Sequence, residues 1–482
     1  MKKAKVVFIS TPALGNLVPT IEFAKHLTQT NQNFSATILL INIPQRPLVQ
    51  SYNDFLAATA PTGNVHFLSL PTADPPSLNQ FEATIGFLSL LIKNHTSQVK
   101  DALVNLISDS DSSSGQVVGF FIDMFCTPFI DVAKELNIPC YLYFASPATF
   151  LNFMCYLPTL DAQVSNNTEF KDSATHFNIL GFSNPVPVNF FPSFMLNRKI
   201  DGYSWFLHHA RRYKETKGIV VNTFQELEPY CLNSLLNAAA ADVVPPVYPI
   251  GPVLDHNGPA QWHQDLWGHE NVMKWLDNQD PSSVVFLSFG SMGSLNISQV
   301  KEIAKGLEKS GHPFLWAIRE APKDKRELPN DYTNLEDILP CGFLEATQGK
   351  GLICGLVPQV TILAHKAIGG FVSHCGWNSI LESLYYGVPI GTWPIYAEQH
   401  LNAFEMVKEL NLAVEITMDY RDGNTLVLSQ EVANGIKNLM DGDGEVRQRF
   451  KKMSEKCKQV WKENGSSSVF LGQLIDKLMA VI

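Results

Sequence analysis

The sequence predicts an α/β protein with two Rossmann-like halves that face each other across a cleft. Short β-branched runs alternate with segments of helical periodicity in both halves of the chain, which is typical of parallel sheets covered by helices. A stretch rich in Pro and Gly separates the two series, and we interpret residues 245–262 as the linker. A chain of 482 residues is also too long for one compact core.

The first series defines an N-terminal domain that is predicted to span residues 1–244. Its strands are unbroken apolar runs, as expected for strands covered on both faces, and a helix at residues 17–29 follows the first of them. Residues 60–85 and 157–200 lack clean periodicity and are rich in Pro, Ser and Asn, so they are predicted to be long loops. The predicted strands are residues 5–10, 35–42, 117–123, 140–146 and 218–222.

The second series defines a C-terminal domain that is predicted to span residues 263–455. Residues 456–482 are expected to form a C-terminal segment whose last helix, at 467–481, packs back on the N-terminal domain. The strands predicted for the C-terminal domain are residues 283–291, 313–318, 351–355, 369–374 and 388–394. Its predicted helices are residues 299–311, 360–368, 378–386 and 445–463.

Composition argues against several classes of function. The net charge of −10 and the lack of a basic cluster argue against nucleic acid as a partner. Eight scattered cysteines without a CxxC pair are typical of reduced thiols in a cytoplasmic protein. No apolar run reaches the roughly 20 residues that span a bilayer, and the N-terminus shows no signal-peptide pattern. We therefore expect a cytoplasmic monomer without stable membrane insertion.

Polar residues follow the predicted strands at one end of each sheet. Asn16 comes after the first strand, Asp123 ends the third, and Ser291 and His374 end strands of the second series. Open parallel sheets bind ligands beyond the carboxyl ends of their strands. Ordinary loop polarity explains each of these residues singly but not their shared position. The sequence therefore predicts a ligand site where the two domains meet.

Residues 356–399 carry the strongest local signal. A strand-like run ends at His374, and a Cys-Gly pair leads into a helix, so backbone N–H groups point at one spot that suits a phosphate. Two interpretations stay open for Ser379 and Glu382. Either the two residues form a capping box, or the Glu382 carboxylate accepts hydrogen bonds from both hydroxyls of a ribose. His374 is either a structural residue or a donor to a diphosphate oxygen.

This segment also contains a set of positions that form a known box: Pro358, Gln359, His365, Gly370, His374, Cys375, Gly376, Trp377, Asn378, Ser379, Glu382, Gly387, Val388, Pro389, Glu398 and Gln399. With them it resembles the signature box of the plant family 1 UDP-sugar-dependent glycosyltransferases. The resemblance continues in NTFQELEP at 222–229 and YPIGPV at 248–253. It implies the two-domain GT-B fold, and the terminal Gln implies UDP-glucose as the donor.

The resemblance also assigns roles to the residues of the donor site. It implies that the backbone of Val357 and the side chain of Gln359 bind uracil, and that Glu382 holds both ribose hydroxyls. No metal is expected, because no Asp-x-Asp motif lies in this region and a histidine and a helix dipole supply the donors. The diphosphate is expected on Ser291, His374, Ser379 and the backbone of Trp377 and Asn378, and the sugar hydroxyls on Glu398 and Gln399.

One position of the donor site departs from the box. Family members usually carry a tryptophan at the first position, where it stacks on uracil, and this chain has Leu356. Stacking of a base on an aromatic side chain is worth roughly 1–3 kcal/mol, of which leucine retains a part. We therefore expect a weakened affinity for the UDP-sugar.

A second departure concerns the catalytic pair. The family uses a histidine after the first strand as general base, oriented by an aspartate at a later strand end. Asp123 matches the aspartate, but Asn16 stands at the histidine position, and an amide does not accept a proton near neutral pH. Three interpretations are open: an engineered substitution that stalls turnover, a transferase that relies on Asp123 alone with acidic or strongly nucleophilic acceptors, or a UDP-sugar-binding protein with little or no transfer. Asn16 is also expected to cap the following helix.

The function predicted from these residues is inverting transfer of glucose from UDP-glucose to a hydroxyl of a small aromatic acceptor, such as a flavonoid or phenylpropanoid. The competing enzyme class, a nicotinamide oxidoreductase, is disfavoured because no G-x-G-x-x-G follows a predicted strand. Aromatic side chains of the N-terminal domain are the predicted acceptor site, namely Phe87, Phe150, Phe153, Met154, Phe190 and Phe191.

Overall fold

Two parallel sheets covered by helices organise the chain in the computed structural model. Within the described part, every helix is too short or too polar to cross a membrane. The structure describes residues 3–43, 46–58, 64–108, 115–165, 168–258, 266–322, 327–421, 425–442 and 444–481.

The N-terminal sheet contains seven parallel strands in the order β3-β2-β1-β4-β5-β8-β9, and β6 and β7 form a separate antiparallel pair. The five predicted strands are present, but β3 lies inside the predicted loop 60–85 and β9 inside the predicted linker. The strands are β1 (Ala4–Ile9), β2 (Phe34–Leu40), β3 (Val65–Ser69), β4 (Gln116–Asp123), β5 (Cys140–Phe144), β6 (His176–Phe177), β7 (Val186–Pro187), β8 (Ile219–Val221) and β9 (Val247–Pro249).

The second predicted loop, residues 157–200, is partly helical in the structure. Helix α6 runs through Pro158 and ends within the segment 157–200, because its apolar residues Leu157 and Leu160 are buried in the core. Burial thus outweighs the local cost of a proline. The helices are α1 (Leu14–Thr30), α2 (Pro47–Ala58), α3 (Thr84–Asn94), α4 (Thr96–Ser108), α5 (Phe129–Glu135), α6 (Ala148–Gln163), α7 (Phe170–Ser173), α8 (Asp201–Arg212) and α9 (Pro229–Ala240).

The C-terminal sheet contains six parallel strands in the order β12-β11-β10-β13-β14-β15, of which the last was not predicted. The strands are β10 (Val284–Ser288), β11 (Phe314–Ala317), β12 (Gly351–Cys354), β13 (Ile368–Ser373), β14 (Ile390–Thr392) and β15 (Ala413–Glu415). The helices are α10 (Leu266–Asp277), α11 (Ile297–Ser310), α12 (Phe343–Ala346), α13 (Gln359–Leu363), α14 (Trp377–Tyr386), α15 (Gln399–Phe404), α16 (Ser429–Met440), α17 (Glu445–Cys457) and α18 (Ser466–Met479).

The C-terminal helix α18 packs on the N-terminal sheet. Its apolar residues Leu471, Leu474 and Leu478 repeat at helical spacing and are buried in the same cluster as the strand residues of β1 and β2. Before this helix, the indole Nε1 of Trp461 donates to the carbonyl oxygen of Pro252 at 2.8 Å. The end of the chain therefore spans both domains.

The domain limits stay a prediction, although β9 concerns the boundary that is predicted between residues 244 and 245. Residues 247–249 of the proposed linker pair with β8 and complete the N-terminal sheet. Residues 259–262 of that linker lie outside the described residues.

Both sheets reverse their strand order next to their first strand. In the N-terminal sheet β1 lies between β2 and β4, and in the C-terminal sheet β10 lies between β11 and β13. The loops that follow such neighbouring strands diverge and leave a crevice for a ligand. The fold therefore places the ends of β1, β4, β10 and β13 around one cleft.

Candidate active site between the two domains

A cavity of about 420 Å³ lies between the domains, which is within the range of small-molecule sites. We refer to its lining from the C-terminal domain as the donor half and to its lining from the N-terminal domain as the acceptor half. Every predicted donor residue lies on the donor half, and Asn16 and Phe150 lie on the acceptor half. The donor residues are Ser291, Leu356, Val357, Gln359, His374, Trp377, Asn378, Ser379, Glu382, Glu398 and Gln399.

The centre of the donor half is the junction of β13 and α14, where two glycines enclose His374. A Cβ atom on Gly376 would lie 2.4 Å from the imidazole Nε2, and one on Gly290 would lie 2.6 Å from it. Only glycine therefore permits this close approach. Burial lowers the pKa of His374 to about 4, so the ring is neutral at pH 7 and offers a hydrogen bond without a charge.

The start of α14 is available to a ligand. Its N-cap is Gly376, which has no side chain to bond the first-turn N–H groups. The preceding Cys375 adopts a left-handed φ of 61°, a conformation that costs energy for a non-glycine residue and is found at functional sites. Such a helix start attracts anions through its N–H groups and dipole.

The structure excludes one of the two interpretations of Ser379 and Glu382. Since α14 begins at Trp377, Ser379 lies inside the first turn and is not the N-cap, so the capping-box interpretation is wrong. Instead, the amide Nε2 of Gln359 donates to the Ser379 Oγ at 2.8 Å and to the Glu382 Oε2 at 2.7 Å. Burial raises the pKa of Glu382 to about 7, and the Gln359 hydrogen bond opposes this rise.

Leu356 is held at the edge of the donor half by its backbone. Its N–H donates to the Asp331 Oδ1 at 3.1 Å, and the same carboxylate oxygen pairs with Arg319 at 2.9 Å. The neighbouring Val357 is nearly buried. The backbone of this segment is thus fixed, while the side chain of Leu356 faces the cavity.

Glu398 and Gln399 end the donor half at the start of α15. The hydroxyl of Ser146, from the N-terminal domain, donates to the Glu398 Oε1 at 3.1 Å, and burial raises the pKa of this carboxyl. The Oε1 of Gln399 accepts from the N–H groups of Ile395 and Tyr396, each at 3.0 Å. Both side chains are therefore oriented before any ligand binds.

Side chains of α14 also join the two halves. The indole Nε1 of Trp377 donates to the carbonyl oxygen of Asn222 at 2.6 Å, and the amide of Asn378 donates to the carbonyl oxygen of Gly15 at 2.8 Å. The resemblance assigned only the backbones of these residues to the diphosphate. The Trp377 side chain thus connects the start of α14 to the end of β8, and the Asn378 side chain connects it to the first turn of α1, which carries Asn16.

Asn16 does not cap helix α1, contrary to the prediction. The N-cap is Ala13, which makes no side-chain hydrogen bond, and Asn16 lies in the first turn of the helix. Its backbone N–H donates to the carbonyl oxygen of Ala13 at 3.0 Å. Among the residues that the structure describes, no hydrogen bond of the Asn16 amide is present, and the residue lies on the cavity wall.

Asp123 lies behind the cavity wall rather than on it. Its side chain is 1% exposed and accepts five hydrogen bonds. These come from the hydroxyls of Ser10 and Thr11 and from the backbone N–H groups of Thr11, Phe125 and Cys126, at 2.6 to 3.2 Å. The carboxylate therefore fixes the loop after β1, and its geometry does not suit direct contact with an acceptor.

The structure also corrects the predicted acceptor residues. Unlike Phe150, four of them are absent from the described cavity lining and pack in the hydrophobic core, namely Phe87, Phe153, Met154 and Phe191. Phe190 packs on Phe404, with ring centroids 5.3 Å apart. These side chains pack with other core residues, which a sequence pattern cannot distinguish from a ligand contact.

The acceptor half is formed largely by residues that the sequence did not single out. Arg46 is among them, and it follows β2 just as Asn16 follows β1, so the rule of polar residues at strand ends could have found it. The others have no signal in a single sequence. The lining includes Leu14, Val18, Arg46, Val49, Thr84, Leu88, Met124, Phe125 and Phe206.

No group of three or more His, Cys, Asp or Glu side chains that could hold a metal ion occurs within the described ranges.

Comparisons with known proteins agree with this geometry. A family model described as UDP-glucoronosyl and UDP-glucosyl transferase matches residues 249–450. UDP-glycosyltransferase 43 of Pueraria montana var. lobata is 52% identical over 99% of this chain and 100% of its own length. The chain belongs to the UDP-glycosyltransferase family. Within this family, UDP-glucose flavonoid 3-O-glucosyltransferase 6 of Fragaria ananassa is 43% identical over 99% of both chains.

A solved structure extends the family match to the fold. The crystal structure of Medicago truncatula UGT71G1 complexed with UDP-glucose superposes with a TM-score of 0.88, at 39% identity over 99% of this chain and 98% of that chain. The predicted GT-B fold is therefore confirmed, and the chain is a glycosyltransferase.

Proposed function

We propose that this glycosyltransferase transfers glucose from UDP-glucose to a hydroxyl of a small aromatic acceptor, with inversion at the anomeric carbon. The observation that carries the proposal is the prepared donor half, where an uncapped helix start, a neutral imidazole between two glycines and a buried carboxylate face one cavity. These groups match a diphosphate and a ribose diol in charge and hydrogen-bonding capacity.

The donor roles in this proposal are those that the family resemblance implies. The backbone of Val357 and the amide of Gln359 bind uracil, and Leu356 packs on the face of the base. Glu382 accepts hydrogen bonds from both ribose hydroxyls. The diphosphate is bound by the imidazole of His374, the hydroxyls of Ser291 and Ser379, and the N–H groups of Trp377 and Asn378. Glu398 and Gln399 bind the glucose hydroxyls.

Transfer itself is a single displacement. The acceptor oxygen forms a bond to the anomeric carbon while the bond to the β-phosphate oxygen breaks, and its electron pair leaves with UDP. The fixed donors around the diphosphate stabilise the charge that develops there. Removal of the acceptor proton has no assigned base, because the Asn16 amide does not accept a proton and Asp123 lies behind the cavity wall. Transfer to neutral hydroxyls is therefore slow.

The name of the Fragaria ananassa relative supports a flavonoid-like acceptor. Monomeric action in the cytoplasm, as expected from the sequence, is part of the same proposal. The alternative function is binding of the UDP-sugar with little or no transfer, and the specific observation in its favour is Asn16 on the cavity wall.

A UDP-release assay with a panel of phenolic acceptors tests the proposal, run for this chain and for Asn16→His. A general base contributes about 10²–10⁴-fold, so we expect Asn16→His to increase O-glucosyl transfer by at least about tenfold. Both variants should bind UDP-glucose with equal affinity in calorimetry. If neither variant releases UDP with any acceptor although both bind UDP-glucose, the chain is a binding protein. Equal transfer rates across the panel contradict the role given to position 16.

A further inference from the structure

One apolar residue of the donor half has no role in the proposed function. Leu328 lines the same cavity as Leu356, although it precedes β12 in the chain and Leu356 follows that strand. Leu328 is half-buried. It lies outside the signature box at residues 356–399, so the family resemblance assigns it no role. Its position in the cavity therefore needs an explanation of its own.

The segment of residues 327–331 lies against the backbone that carries Leu356. Asp331 makes the connection, because its Oδ1 accepts from the Leu356 N–H at 3.1 Å. A Cβ atom on Gly355 would lie 2.1 Å from the Asp331 Oδ2, so the two segments approach as closely as a glycine permits. Leu328, shortly before Asp331 in the chain, is thus brought to the same end of the donor half as Leu356.

Arg319 fixes this segment from the loop after β11. Its guanidinium donates to the carbonyl oxygen of Pro329 and pairs with Asp331, where the Nε and Oδ1 atoms are 2.9 Å apart. The Glu320 N–H donates to the carbonyl oxygen of Asn330 at 2.7 Å, and the Asn330 N–H donates to that of Glu320 at 3.1 Å. The segment is therefore held in place before a ligand binds, which lowers the cost of binding.

We propose that Leu328 is a second apolar contact for the uracil of the donor, which packs against Leu328 and Leu356 together. A leucine covers less of a base than the tryptophan that is usual in the family, so it leaves part of the ring to another side chain. Apolar contact adds to affinity in proportion to the area removed from water. Leu328 thus offsets part of the loss at position 356. The inference rests on the proposed function and adds a donor-binding residue to it.

The test compares a ligand that has the base with one that lacks it. Calorimetry measures the affinity for UDP directly, and the affinity for pyrophosphate, which shares only the diphosphate, is measured by its competition with UDP. Leu328→Ala should weaken UDP binding by about fivefold, because contact area with the base is lost. Its affinity for pyrophosphate should stay within about twofold of that of the unchanged chain. A general disturbance of the donor half would weaken both ligands.

Two further variants separate contact with the base from other effects. Leu328→Met keeps the apolar volume, so it should bind UDP within about twofold of the unchanged chain. Leu344→Ala, at an exposed leucine of α12, is the matched control and should leave both affinities unchanged.

A double variant tests whether Asp331 positions Leu328. Without the Asp331 carboxylate the segment loses its connection to Leu356 and to Arg319, so Leu328 no longer has a fixed place beside the base. In the Asp331→Ala background, Leu328→Ala should therefore weaken UDP binding by less than about twofold. The full fivefold effect in that background contradicts the role given to Asp331.

The outcomes for Leu328→Ala decide the inference. A variant that binds UDP as the unchanged chain does, or that loses affinity for pyrophosphate to the same extent as for UDP, overturns it. If the unchanged chain does not bind UDP, or if pyrophosphate in large excess does not displace UDP, the proposed function is contradicted instead.

Discussion

The donor half and the acceptor half of the cleft differ in how their polar groups are held. In the donor half, Gln359 orients both Ser379 and Glu382, and the backbone N–H groups of a turn hold Gln399. In the acceptor half, the Asn16 amide projects from an otherwise mainly apolar wall. The comparison shows that preorganisation, which lowers the cost of binding and of charge stabilisation, is concentrated on the side of the leaving group.

The largest effect is expected for the carboxylate of the donor half. In Glu382→Gln, two charge-assisted hydrogen bonds become neutral ones of about half the strength, so UDP-glucose affinity at pH 8 should fall by at least about tenfold. Because the pKa of Glu382 is raised to about 7, the unchanged chain should bind UDP-glucose about tenfold more tightly at pH 8 than at pH 6, as the carboxylate ionises.

Calorimetry at the two pH values checks both parts of this prediction. The pH dependence should disappear in Glu382→Gln, and the exposed control Glu445→Gln should behave as the unchanged chain does. Since the pKa of His374 is about 4, the imidazole does not titrate in this window. If Glu382→Gln keeps the UDP-glucose affinity and the pH dependence of the unchanged chain, Glu382 does not contact the donor.

A smaller effect is expected at the position where the donor half departs from its family. Leu356→Trp places an aromatic ring at the cavity edge. Stacking on uracil is worth roughly 1–3 kcal/mol, and the net gain is smaller because the contact of leucine with the base already supplies part of this free energy. We expect the KM for UDP-glucose to fall about fivefold in steady-state kinetics, with kcat little changed. Leu428→Trp, on an exposed site outside the cavity, is the control. An unchanged KM would reject the proposed contact between this position and the base.

The smallest effect concerns the interface behind the two halves, where two buried carboxyls meet. Glu228 accepts from the N–H groups of Ala148 and Thr149, and the Thr149 hydroxyl donates to the Glu405 Oε2 at 2.6 Å. Burial, together with the charge of Glu228, raises the pKa of Glu405 well above its ordinary value. The fold thus favours the protonated form, and its stabilising contribution is lost as the pH rises through the raised pKa.

The amide in Glu405→Gln imitates the protonated acid at every pH. We expect the melting temperature of the variant, relative to that of the unchanged chain, to rise by at least about 2 °C between pH 5 and pH 8. Thermal melts in a series of buffers measure this difference. A difference that is constant with pH, or that shrinks as the pH rises, contradicts a raised pKa of Glu405 in the folded state.

The same contrast explains what the sequence could predict. Apart from Ser291, the predicted donor residues lie within residues 356–399, after β12, β13 and β14 and at the start of α14, so a local pattern carries most of them. The acceptor half is assembled from α1, α2, α3, α6 and α8, whose side chains face the cavity only through tertiary packing. Phe150 lines the cavity whereas Phe153, one turn later, does not, although both are 1% exposed, and no periodicity separates the two.

Two other errors have similar causes. Strand β3 has one buried residue, Val65, and its other residues are partly or fully exposed. Its apolar pattern is therefore too weak to predict a strand among the surrounding Pro and Ser residues. Asparagine is favoured at the N-cap, which predicts Asn16 there and a helix from residue 17, but the helix begins three residues earlier, at Leu14, with Ala13 as an N-cap that makes no side-chain hydrogen bond. Propensity alone does not fix where a helix begins.

The most direct test of the central claim is a crystal structure of this chain soaked with UDP. We expect density for the diphosphate at the N-terminus of α14, between His374 and Ser291, with the ribose hydroxyls on Glu382. A cleft that stays empty at saturating UDP, or a nucleotide bound elsewhere on the molecule, contradicts it.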